Sequence, residues 1–154
     1  MAVDTSVVLD LLVDVDADRA DRAQYLLDGH GDRHTVVLPA IVIAEIGGAP
    51  NIRGIHIPKA LRQQRIAAAT AWIRSSNFVV AEISERTVRR AAEIAVQHQL
   101  KGPDATILAS AEEWGCDRLY AQDGDLLKCD GQFAFPVIAP ESPPEPEPNL
   151  FNQP

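Results

Sequence analysis

The sequence predicts an α/β fold built on a largely parallel sheet. Two observations carry this. Short β-branched or apolar stretches alternate with longer helix-like ones, and Pro and Gly stand at the changes between them. No internal repeat is present.

In chain order, Ala2–Asp4 is the end of a very short first strand, since only three residues precede Asp4. Ser6–Val13 has helix-like apolar content. Arg19–Leu27 continues as a polar-faced helix that turns Ala20, Ala23, Leu26 and Leu27 inward. Thr35–Leu38 is β-branched and apolar, suited to a buried strand. Pro39 suits the first turn of a helix running to about Ile46, which Gly47 and Gly48 end. Ala49–Pro58 is expected to be a loop. Lys59–Ser76 follows as a long helix with Leu61, Ile66, Ala69, Trp72 and Ile73 apolar. Phe78–Ile83 is a third strand, and Ser84 N-caps a helix through Leu100. Gly102-Pro103-Asp104 opens the next helix and Gly115 closes it. Arg118–Ala121 is a fourth strand, Asp125–Lys128 a helical turn and Phe133–Ile138 a fifth strand. Residues 1–139 therefore form one domain. From Pro140 the run Pro-Glu-Ser-Pro-Pro-Glu-Pro-Glu-Pro cannot build a core, so residues 140–154 are expected to form a disordered tail.

At 154 residues the chain has the length of one domain with a real core. Its longest apolar run, Val36 to Ala44, is nine residues and contains Pro39, against the roughly 20 that a membrane span needs. The N-terminal segment is acidic and lacks the basic region of a signal peptide. Cys116 and Cys129 have neither CxxC spacing nor a His pattern, as expected of free thiols in a reducing cytoplasm. The net charge of −8 disfavours non-specific nucleic-acid binding over most of the surface. Residues 46–81, however, hold Arg53, Lys59, Arg62, Arg65 and Arg74 and no acid. That segment can hold a polyanion, or simply form a solvated helix face.

Four acids stand in or beside apolar stretches: Asp4, Glu45, Asp104 and Asp123. Burying an isolated carboxylate costs several kcal/mol, so four such residues suggest a shared cation. In open parallel sheets, sites form at the carboxyl ends of strands. Asp4 and Asp123 follow strands one and four, Asp104 opens a helix, and Glu45 lies on the helix after strand two. Hard oxygen ligands without nearby His or Cys select Mg²⁺ or Mn²⁺. Each acid also has a structural alternative: Asp4 as a cap of the first helix, Asp104 as a partner of its own helix dipole, Asp123 as turn chemistry, and Glu45 as half of a salt bridge. Asp14-Val-Asp16-Ala-Asp18 fails as a calcium loop, with Arg19 where Gly is needed and Tyr25 where Glu is needed. His30, His34, His56 and His98 show no zinc spacing, and no GxGxxG, GxxxxGK[ST] or GxSxG run is present.

Four segments together resemble the PIN-domain nucleases, and within them the VapC-type toxins of toxin–antitoxin pairs. They are Val3-Asp4-Thr5-Ser6-Val7-Val8-Leu9-Asp10-Leu11-Leu12, Ile43-Ala44-Glu45-Ile46, Pro103-Asp104-Ala105-Thr106-Ile107-Leu108-Ala109-Ser110-Ala111 and Tyr120-Ala121-Gln122-Asp123-Gly124-Asp125-Leu126. The resemblance covers about residues 2–138. It implies a three-layer α/β/α fold with a central, mostly parallel sheet of about five short strands. It also implies a Mg²⁺- or Mn²⁺-dependent endoribonuclease with Asp4 and Asp104 as principal metal ligands. Glu45 and Asp123 would complete the pocket, Asp125 would be an alternate or support, and Ser6 would order the site. Ala121 stands where the family often has Thr or Ser, which removes a hydroxyl near the fourth acid. A cognate antitoxin, a homodimer and a toxin–antitoxin hetero-oligomer are implied as well. Lys59, Arg62 and Arg65 then become candidates for substrate phosphates. A housekeeping or DNA-directed nuclease, and a catalytically silent acidic binding domain, are the competing functions.

Overall fold

The computed structural model describes residues 1–13 and 16–144. Strands β1 (Ala2–Val3), β2 (Val37–Pro39), β3 (Val79–Ala81), β4 (Leu119–Tyr120) and β5 (Val137–Ile138) form one sheet. Their order is β3-β2-β1-β4-β5, and every pairing is parallel. Ala2 stands between Val37 and Leu119, so β1 is central and its residues are fully buried.

Parallel neighbours need crossovers. Among the described residues these run through helices α1 (Thr5–Val13), α2 (Ala17–Leu27), α3 (Ala40–Gly48), α4 (Pro50–Arg53), α5 (Lys59–Ser75), α6 (Glu85–His98), α7 (Gly102–Glu113) and α8 (Gly124–Leu127). The steps β1 to β2 to β3 cross the sheet in one direction, and β3 to β4 to β5 in the other. Right-handed crossovers then set α1–α5 on one face and α6–α8 on the opposite face. This is the three-layer α/β/α arrangement. None of the described helices is long and apolar enough to cross a membrane.

Helix α7 explains why its own sequence lacks an amphipathic pattern. Every side chain from Ala105 to Ala111 is buried, and a helix covered on all sides needs no polar face. It packs against α6, whose Ile94 is fully buried with Ile107 and Leu108. Cutting any of these three back to Ala would cost about 2–5 kcal/mol. Ser84 caps α6 through a reciprocal pair of 3.1 Å bonds with Thr87, and the Thr87 hydroxyl also donates to Glu113 at the end of α7. Gly115 closes α7 at φ +59°, where the amide of Cys116 reaches back 2.9 Å to the carbonyl of Ala111. A side chain there would cost about 1 kcal/mol or more.

Most element ends shift by a residue or two from the sequence expectation, and three differences have a specific cause. The segment expected to be a loop after Gly48 contains α4, because Pro50 at its first position is already set for a helix. Pro39 ends β2 and caps α3 rather than entering it; its φ of −55° suits both roles. The fifth strand begins at Val137 and not at Phe133. Phe133 and Phe135 instead stack on each other with ring centroids 5.5 Å apart.

Among the described histidines, His30 is structural: Nδ1 accepts from the Val36 amide and Nε2 meets the Asn77 carbonyl, both at 3.0 Å. Cys116 and Cys129 are free and buried. Asp16, from the acidic run rejected as a calcium loop, caps α2, while Asp14 and Val15 lie outside the described residues. Residues 140–144 of the expected tail have no regular structure; residues 145–154 also lie outside.

Candidate metal and catalytic site

The connections leaving β1 and β4 depart in opposite directions across the sheet, which opens a crevice at the carboxyl edge between these two strands. Asp4 is the residue immediately after β1. Its amide donates to the Tyr120 carbonyl of β4 at 2.9 Å, so the strand pairing itself sets its position. Only 4% of Asp4 is exposed. Its Oδ2 accepts from both the amide (2.9 Å) and the hydroxyl of Ser6, and the Ser6 oxygen in turn accepts from the Gln122 amide at 2.9 Å. Ser6 thereby ties Asp4 to the loop after β4. It also supplies a hydroxyl at the level where Ala121, fully buried, has none.

Glu45 rises from α3, and its Oε2 accepts from the Thr5 hydroxyl at 2.5 Å. Asp104 stands in the first turn of α7 behind Pro103, where the helix dipole favours a negative charge. Asp123 caps α8 through its Oδ1, which accepts from the Asp125 amide at 2.7 Å. The capping roles of Asp4 and Asp123 are therefore real, and they hold each carboxylate in one orientation.

The acids act on one another. Burial raises the Asp4 carboxyl above the usual carboxylate range, and the charge of Asp123 adds to this. Burial also raises Glu45, with Asp4 and Asp123 contributing. Asp104 is pushed up to about 6 by burial and then by Asp123, Asp4 and Glu45. Mutual repulsion of this kind brings all four acids into one field. A cation is the simplest group to relieve it.

The donor set fits Mg²⁺ or Mn²⁺, being wholly of hard carboxylate oxygens without His or Cys. Among the described residues, no three His, Cys, Asp or Glu side chains stand close enough to enclose an ion by themselves. Mg²⁺ in particular takes one or two carboxylates directly and keeps several waters, so an enclosing protein cage is not required. Asp4 and Asp104 could hold such an ion, with Glu45 and Asp123 orienting its waters.

Asp125 is set apart from the four. It is exposed and paired at 2.7 Å with Lys128, which holds its carboxyl below the usual range. Of the basic stripe, Lys59 is exposed at the start of α5. Arg62 donates to the Arg53 carbonyl at 3.4 Å and Arg65 to the Asn51 carbonyl at 2.6 Å, so both brace α4. Two residues that the sequence motifs did not single out also join the site. Thr5 positions Glu45, and Lys101, three residues before Asp104, places the cation that eases the Asp104 charge. Spacing could have suggested Lys101, since it caps the turn of α7 that carries Asp104.

A parallel α/β/α sandwich with acids gathered at the crevice beside β1 defines the class as an acidic-pocket α/β domain. The chain belongs to the PIN-domain family, whose model matches residues 1–132. Among solved structures it is similar to the Mycobacterium tuberculosis toxin VapC20, described as cleaving the sarcin–ricin loop. Identity there is 28% over 80% of this chain and 90% of that one, with a TM-score of 0.63. A toxin–antitoxin complex from Klebsiella pneumoniae matches 92% of this chain and 98% of that one at 22% identity, TM-score 0.62. FitAcB from Neisseria gonorrhoeae matches 90% and 96% at 18% identity, TM-score 0.59. These last two share the fold. Among curated proteins, none matches significantly.

Proposed function

We propose that this chain is a Mg²⁺- or Mn²⁺-dependent endoribonuclease, the toxin of a toxin–antitoxin pair, carried by residues 1–139. One observation supports it above the others. Asp4, Glu45, Asp104 and Asp123 come from four separate elements, and burial together with the charges of the other three raises Asp104 to about 6. Lys101 acts on Asp104 as well, but less strongly than burial or any of the three acids. Similarity to VapC20, itself a toxin that cleaves the sarcin–ricin loop, favours RNA over DNA as substrate. The likeness to a toxin–antitoxin complex favours an antitoxin partner, and the proposal includes a homodimer within a larger toxin–antitoxin hetero-oligomer.

When bound, the cation supplies an activated water and neutralises charge on the phosphoryl group undergoing in-line displacement. The chain does the rest. Ser6 fixes Asp4 so that its carboxylate meets the site in one rotamer. Thr5 fixes Glu45, which can orient a water or accept its proton. Asp104, easily protonated without a cation, is ionised once one is present. An antitoxin segment offering Arg or Lys would pair with the same acids and compete for them.

Inducing the chain in a bacterial host should arrest growth and create new RNA 5′ ends at a defined sequence, both lost with Asp104→Asn. New ends that are unchanged in Asp104→Asn would remove the proposal. Arrest with DNA breaks and intact RNA would favour the DNA-directed alternative.

A further inference from the structure

A polar pocket of about 460 Å³ lies beside the acids, within the roughly 300–1,000 Å³ range of small-ligand sites. His98, Gln99, Asp125, Lys128 and Gln132 contribute to its walls. None of the four acids lines it, but two of its lining residues feel their charge: Asp104 acts on Cys129, and Asp123 acts on Lys128. The hydrolytic chemistry uses none of its other side chains.

Its walls are held in place. Gln132 Nε2 donates to the Lys128 carbonyl at 2.8 Å, which turns Oε1 toward His98 Nδ1 at 2.7 Å. A carboxamide oxygen only accepts, so the network puts the proton on Nδ1 and leaves the neutral ring a lone pair at Nε2. The His98 ring also lies 5.2 Å from that of Phe133, which stacks on Phe135. Gln99 adopts φ 56° and ψ 40°, a left-handed conformation that glycine takes freely and glutamine does not. Gln99 ends α6 in this conformation, its amide bonded to the Ala95 carbonyl, and the turn fixes where its side chain leaves the helix beside the pocket.

We infer that this pocket receives one unstacked nucleobase of the substrate strand, next to the phosphodiester held at the acids, and so sets a base preference. The inference rests on the nuclease reading of the acidic cluster. Unpaired bases are recognised by stacking on aromatic or imidazole rings and by hydrogen bonds to their edges. His98 offers the ring and an acceptor, and Gln99 offers an amide that both donates and accepts. An acceptor at Nε2 favours a base with an exocyclic amine, which adenine, cytosine and guanine carry, over uracil, whose one edge donor is its ring N3–H. Lys128 and Asp125 neutralise each other at the rim, so selection here depends on hydrogen bonding more than on charge.

The test measures binding of labelled adenylate, cytidylate and uridylate hexamers to the full chain carrying Asp104→Asn, which prevents cutting. The parent should rank adenylate or cytidylate over uridylate by roughly tenfold. His98→Ala and, separately, Gln99→Gly should each shrink that ranking to within roughly threefold. Gln99→Gly relaxes the backbone, so its effect cannot be charged to misfolding. A ranking kept in both variants, a parent without any ranking, or no RNA binding would each overturn the inference. The nuclease reading is scored separately, by cutting of the same hexamers with Asp104 intact. Pocket-dependent ranking without cutting would sink that reading alone; cutting whose base preference survives both variants would sink the pocket alone.

Discussion

The Thr5 hydroxyl donates to Glu45 Oε2 at 2.5 Å, joining the residue after Asp4 to a helix forty positions away. This one bond links the start of α1, next to Asp4, to α3 and fixes the orientation of Glu45. Thr5→Val keeps the shape and removes the donor. It should cost about 1 kcal/mol of stability and about tenfold in cleavage rate, as loss of a supporting hydrogen bond does at metal sites. Cleavage rates at saturating Mn²⁺ alongside a urea titration would separate the two effects.

Ser6 has a heavier duty, since its oxygen serves Asp4 and the Gln122 amide together. Ser6→Ala leaves that amide without its partner and should lower unfolding stability by about 1–3 kcal/mol. The urea midpoint should fall with the slope unchanged.

The raised carboxyls fix the sign of a pH dependence. Folded Asp104 titrates at about 6, above its ordinary value of 3.8, so the folded protein binds its proton more tightly than the unfolded chain. The resulting stability is present below pH 3.8 and is lost as pH rises through about 6. Asp4 and Glu45 are raised as well and act in the same direction. With EDTA present, unfolding stability should therefore decline between about pH 4 and 6. Asp104→Asn should flatten much of that decline and be the more stable protein at about pH 7 without metal. Adding Mg²⁺ should restore stability to the parent and do little for the variant, because an ion that binds only the folded site stabilises it.

Charge reversal at Arg62 and Arg65 should weaken RNA binding and flatten its salt dependence, by about 0.7 in log–log slope for each phosphate no longer neutralised. Both arginines also brace α4, so thermal stability must be measured in parallel. An unchanged salt slope with a lowered Tm would assign them to α4 alone.

How much of this was legible in the sequence follows the physics of each residue. Asp4 and Asp104 were visible because acids within apolar runs are costly, and the burial of Asp4 and the raised carboxyls of both show that cost. The parallel sheet was visible in strands too apolar to have a solvated face. Helix α4 was hidden because four residues carry no periodicity. The start of β5 was overextended because Phe133 and Phe135 have strand-like character, which an aromatic stack uses instead. The pairing of His98 with Gln132 spans 34 positions, and no local pattern announces a bond made only by tertiary folding.

The most direct test is cleavage of a labelled RNA by purified protein across a Mn²⁺ titration, comparing the parent with Asp104→Asn and Asp4→Asn. Cleavage by the parent should rise with Mn²⁺ and vanish in EDTA, and each variant should lose at least about a hundredfold in rate at every concentration. Variants that cut as fast as the parent, or a parent equally active in EDTA, would contradict the assignment of these acids to a metal-dependent hydrolytic site.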